Sequence, residues 1–160
     1  MWVNMYDRQA AVGYARRWAM RRNPLYYDFD GLGGDCTNFV SQCVYAGAQV
    51  MNYAYPFGWF YRDLSNRSPS WSGVAFFFDF MVSNHGAGPF GKLISLEKLL
   101  PGDVIQLGDG THFYHSLLVV DTVPQILVAA HTNDVYGKPL SEYFFAAARG
   151  IHVEGVRIMS

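Results

Sequence analysis

Cys36 stands directly after Gly33-Gly34-Asp35 and opens a stretch whose apolar positions recur at helical spacing. A thiol attacks a carbonyl as the thiolate, and an ordinary pKa of about 8.5 leaves little thiolate at neutral pH. A helix N-terminus and a neighbouring imidazolium both lower that pKa, and a cysteine at a helix start has the first at hand. The same helix start offers the backbone N–H of Cys36 as an oxyanion donor. Gly33 and Gly34 would let a substrate backbone come close. Asp35 is a good N-cap for this helix; unless capping consumes its carboxylate, it raises the pKa of the adjacent thiol. Most free cysteines are small buried hydrophobes, and Cys43, deeper in the apolar face, fits that description.

A cysteine nucleophile needs a base. His115 begins the run His115 to Val120, and period-2 alternation puts it on one face with Leu117 and Val119. His131 closes the run Leu127-Val128-Ala129-Ala130-His131. If the two runs form a hairpin around Pro124, the histidines come to the same sheet edge, and the second would fix the tautomer of the first. Taken singly, each histidine is more often structural; together with a cysteine at a helix start they point to a nucleophilic hydrolase. His85, His112 and His152 have no such context and receive no role. A zinc site built from Cys36, Cys43 and two histidines lacks the short spacings that mark such sites, so neither metal nor cofactor is expected.

Three helices have to position these groups. Asp7 to Arg22 reads as amphipathic, with Ala11, Ala15, Trp18 and Ala19 on one face, and Asn23-Pro24 ends it. Cys36 to Ala46 is a buried helix with Gly47 as its stop. A third helix is expected from about Ser72 to Asn84, with Phe76, Phe77, Phe80 and Met81 in the core. The second half reads as strands: Val104 to Leu107, His115 to Val120, Ile126 to His131 and His152 to Ile158, with a short helix over Ser141 to Ala148. Helices first and a strand meander afterwards predict an α+β fold with an antiparallel sheet, as one domain over residues 1–160.

Of the 160 residues, 51% are hydrophobic and only 16% charged, which excludes a disordered chain. A net charge of −1 gives no electrostatic case for nucleic-acid binding. The basic cluster Arg16, Arg17, Arg21, Arg22 reads as a solvated helix face. No apolar run approaches the roughly 18 residues that span a bilayer, so no membrane insertion is expected, and the N-terminus lacks the order of a secretory signal. Seven residues along one helix separate Cys36 from Cys43 by about 10 Å, too far for a disulfide. Aromatic residues reach 17%. Tyr26, Tyr27, Trp59, Tyr61 and Trp71 are candidate groove residues for sugars or peptides, each also compatible with plain packing. Oligomeric state is not legible.

The segment Gly33-Gly34-Asp35-Cys36-Thr37-Asn38-Phe39-Val40-Ser41-Gln42 resembles the bacterial putative amidase domain family, a relative of the NlpC/P60 and CHAP hydrolases. Further matching pieces follow in order: Asn23-Pro24, Ser70-Trp71, Pro101-Gly102-Asp103-Val104-Ile105-Gln106, His115-Ser116 and His131-Thr132. The resemblance implies a papain-like core with Cys36 as nucleophile, His115 as base and then acid, and His131 as the third polar residue, with Asn133 or Asp134 as fallback. Asp35, Tyr27, Trp59 and Trp71 are the substrate-contact candidates. The glutamine that papain places before its cysteine has no counterpart in Asp28-Phe29-Asp30, so this loop is expected to contact substrate instead. Implied besides are a peptidoglycan or peptide substrate, cut by amidase or stem-peptide endopeptidase action, and an extracellular or wall-associated location. The rival from another class is a non-catalytic module that holds wall fragments or a partner on the same scaffold.

Overall fold

The computed structural model describes residues 1–159. Strand β1 (Trp2–Asn4) leads into helices α1 (Arg8–Trp18) and α2 (Cys36–Ala48). A small hairpin of β2 (Tyr61–Asp63) and β3 (Asn66–Arg67) precedes helices α3 (Pro69–Ser72) and α4 (Val74–Ser83). There follow β4 (Gly88–Ile94), β5 (Val104–Gly108), β6 (Phe113–Asp121), β7 (Leu127–Ala130), β8 (Val135–Pro139) and β9 (Ala147–Ile158). The architecture is α+β. Its antiparallel sheet runs β1-β9-β5-β6-β7-β8, with β4 paired to β9 as well.

The long strand β9 allows this branching. Residues 147–151 pair with β5 and residues 156–158 with β1, while β4 pairs with residues 150–157. The middle strands are buried on both faces, so they read as continuous apolar runs rather than as alternation. Along β6, Leu118 and Val120 join the core under the helices, with Phe39, Val40 and Val44 of α2. Leu117 and Val119 join a second core on the opposite face, with Ile105, Leu107, Val128 and Ala130.

Several boundaries depart from the sequence expectation. Helix α1 starts as expected, the Asp7 carboxylate accepting the Ala10 N–H at 3.0 Å, but it ends at Trp18 rather than Arg22. Helix α2 continues past Gly47 to Ala48, and the left-handed residue that ends it is Gln49. Gly47 serves packing instead: a Cβ there would lie 2.6 Å from the Asp7 carbonyl oxygen and the Tyr6 ring. The expected third helix is α4, starting two residues later than expected because the extended backbone of Gly73 separates it from α3. Phe77, Phe80 and Met81 are core, but Phe76 is 53% exposed. Ser141 to Ala148 is no α-helix; a single 3₁₀ turn over Leu140–Glu142 leads into β9. Strands β1, β4 and β8 were not legible, because two lie at sheet edges and β4 is rich in glycine and proline.

Buried polar side chains tie the layers together. Asp103 is buried and accepts the N–H groups of Leu100 and Val153, each at 2.9 Å. It also pairs with Arg8 at 2.7 Å and with His152 at 2.8 Å, so His152 belongs to a structural cluster. Removing one partner of a buried, multiply bonded charge strands the others and typically costs about 3–5 kcal/mol. Asp103→Ala is therefore expected to lower the urea midpoint by a corresponding amount, and an unchanged midpoint would show that β9 does not depend on this carboxylate.

Candidate active site

The first turn of α2 is held by the residue before it. Asp35 is fully buried, and its carboxylate makes no capping bond to α2. One of its oxygens accepts the Phe29 N–H at 2.8 Å and the Asn38 amide at 2.9 Å. The other meets Nδ1 of His131 at 2.5 Å, with Arg22 Nε at 3.4 Å. The expected N-cap is thus the anchor of the loop that precedes the helix. That loop folds back on itself, the Leu32 and Gly34 N–H groups both bonding the Phe29 carbonyl. Gly33 and Gly34 take φ of 86° and 102°, which other residues rarely adopt.

Cys36 and His115 line one cleft of about 480 Å³, together with Gly34, Asn133, Lys138 and Tyr143. The pairing of β7 with β6 extends only to Leu118, which leaves the Ser116 N–H available to the thiol of Cys36. Burial pushes the Cys36 thiol up from its ordinary value, against hydrogen bonds from the Ser116 N–H and from the hydroxyl and N–H of Thr37; Asp35 adds to the rise. The helix start therefore does not produce a resting thiolate. Burial also pushes His115 down to about 4, aided by the charge of Lys138. At neutral pH the pair rests as thiol and neutral imidazole. Among the described residues the His115 ring makes no hydrogen bond, and its aromatic neighbour is Tyr143, with ring centroids 6.1 Å apart.

His131 does not orient His115. Continuing the register Leu118↔Ala129 places His131 opposite Ser116, one residue off His115. A one-residue offset puts a side chain on the other face of a sheet. His131 accordingly lies under α2, fully buried, its ring stacked on Phe39 at a centroid distance of 4.0 Å. Nε2 donates to the Trp18 carbonyl at 2.8 Å, and Nδ1 is hydrogen-bonded to the Asp35 carboxylate. Asp134 is also engaged, receiving two hydrogen bonds from Arg22 at 2.7 and 3.0 Å. Of the three residues considered for the orienting position, Asn133 alone lines the cleft.

Residues 5–154 match the family model described as Putative amidase domain. The chain belongs to this family. It is also similar to the uncharacterized protein YhbB of Bacillus subtilis (strain 168), with 41% identity over 138 residues, 81% of this chain. The chain spans only 42% of the length of that curated relative. No solved structure matches the chain.

Several residues in the pieces that carry the resemblance have physical roles in the structure. The Thr37 and Ser116 hydroxyls bond at 2.9 Å, Ser116 takes the amide of Gln106 at 3.2 Å, and the Gln106 carbonyl accepts two bonds from Arg149. This polar chain runs from the first turn of α2 across β6 and β5 to β9. Trp71, expected at a groove, is fully buried and donates to Asn38 at 3.0 Å. Trp59 is likewise buried and donates to Ser41 at 3.1 Å. Both are core because an indole can fill a core when its N–H finds a partner. Tyr27 is 41% exposed, but it bonds Tyr61 and Asn38 through its backbone and lies outside the cleft. Asp35, being internally satisfied, is not a substrate contact.

The loop expected to touch substrate buries Phe29, while Asp28 and Asp30 stay exposed and pair with Arg22 at 3.3 and 2.6 Å. Arg22 thereby leaves the solvated basic cluster. Lys138, Tyr143 and Phe144 are cleft residues that sequence reasoning missed, since β8, which carries Lys138, and the 3₁₀ turn before Tyr143 and Phe144 have no strong periodic signal. His131→Ala and Asp35→Asn are each expected to destabilise the protein by about 3 kcal/mol. Because they break one interaction, the double variant should cost far less than the sum in a urea double-mutant cycle; full additivity would contradict the coupling.

Proposed function

We propose that the protein is a cysteine-dependent amide hydrolase with a papain-like core. Membership of the putative amidase domain family supports amide hydrolysis. The observation that carries the cysteine mechanism is the shared cleft, where the thiol at the start of α2 and an imidazole from β6 meet an opening to solvent. As the Cys36 sulfur bonds to the amide carbon, its proton passes to neutral His115. The carbonyl oxygen becomes an oxyanion, met by the Cys36 N–H at the helix start. His115 then gives its proton to the leaving nitrogen as the C–N bond breaks, leaving a thioester. Water attacks that thioester while His115 takes its proton, and the acid departs with Cys36 restored. Asn133 is the group left to orient the imidazole. No step calls on a metal or cofactor.

The proposed substrate is bacterial peptidoglycan, cut between sugar and peptide or within the peptide, outside the cell or at the wall. Purified peptidoglycan is the first material to test, with products read by mass spectrometry. Cys36→Ala should abolish product formation while keeping the wild-type urea midpoint; retained turnover would remove Cys36 from the mechanism. His115 works as a base only when neutral, and its pKa lies at about 4 rather than near 6.5. Activity is therefore expected to hold through pH 6 and to fall only as the pH drops through about 4. An acid limb of kcat/KM centred near 6.5 would mean that a solvated imidazole, and not this buried ring, is the base.

A further inference from the structure

Lys138 stands out among the groups that the mechanism above does not use. It lies on β8 and lines the same cleft as Cys36 and His115. Its ammonium sits 4.2 Å from the centroid of the Tyr143 ring, an aromatic face that holds a cation in place. Lysine is usually paired or fully solvated, yet among the described residues Lys138 makes no ion pair, and it is only partly exposed. Glu142, the other charged group of the cleft, is exposed at the rim, where water screens it. A positioned, unpaired ammonium beside a nucleophile and its base is a receptor for an anion.

We infer that Lys138 forms a carboxylate subsite, so that the preferred acyl donor carries a free carboxylate close to the scissile amide. The inference rests on the hydrolase reading and adds to it the chemical class of the substrate. The charge that receives the carboxylate is the same one that disfavours a proton on His115. A bound carboxylate offsets that repulsion at the moment when His115 takes the thiol proton. Donors carrying the carboxylate are thus favoured both in binding and in the attack.

Iodoacetate and iodoacetamide test this without knowledge of the natural substrate, since they differ only in a carboxylate and a carboxamide. In both reactions the Cys36 thiol gives its proton to His115 and the sulfur bonds to the methylene carbon, while the C–I bond breaks and iodide leaves with the bonding pair. Rates at Cys36 are followed by peptide mass spectrometry in the folded protein, which separates Cys36 from the buried Cys43. Two unit charges several ångströms apart near a protein surface predict that the rate ratio of iodoacetate to iodoacetamide falls on the order of 3- to 30-fold in Lys138→Gln. Lys138→Arg should keep most of the ratio, and added salt should lower it in the wild type and in Lys138→Arg but not in Lys138→Gln. A ratio unchanged by Lys138→Gln overturns the carboxylate subsite and leaves Cys36 as nucleophile. A Cys36 that reacts with neither reagent until the protein is unfolded overturns both.

Discussion

The site depends on one buried carboxylate. Asp35 accepts donors from its own loop, from the first turn of α2 and from the end of β7 through His131. His131 in turn bonds the carbonyl of Trp18 at the end of α1. Three separate parts of the chain therefore converge on the residue that precedes Cys36. A buried carboxylate is stable only when its lone pairs are satisfied, and a half-satisfied one is costly. That cost ties the loop, the helix and the strand end to a single arrangement.

Around this anchor the sheet presents two different faces. One packs beneath the helices; the other covers a second core. The polar chain from Thr37 through Ser116 and Gln106 to Arg149 crosses the sheet where α2 meets it. Arg149 is also held between the rings of Phe78 and Phe113, at 3.6 and 3.9 Å from their centroids. The start of α2 is consequently fixed from before by Asp35 and from below by Ser116, whose N–H reaches the thiol.

Burial also sets the charge states of Cys36 and His115. It disfavours the thiolate and the imidazolium alike, so each group rests neutral. The charge of Lys138, in the same cleft, further disfavours the imidazolium of His115. A helix terminus alone would favour the thiolate, but at this depth desolvation outweighs it.

Local pattern in the sequence was enough to identify Cys36 at the start of a buried helix, the glycine turn before it, the main strands and the α+β class. These features depend on residues close together in the chain, where helical and alternating periodicities are visible. The partners of His131, the placement of Trp59 and Trp71 in the core and the arrival of Lys138 at the cleft were decided by the tertiary structure. Each turns on which face of a strand or which side of a loop a residue occupies. Reading the two histidines as neighbours at one edge required a register, and a shift of one residue reverses the face. Indole and phenol rings look alike in sequence whether they fill a core or line a groove; burial separates them. Asp35 has the composition of a helix cap, and only the long-range arrival of His131 makes it an anchor instead.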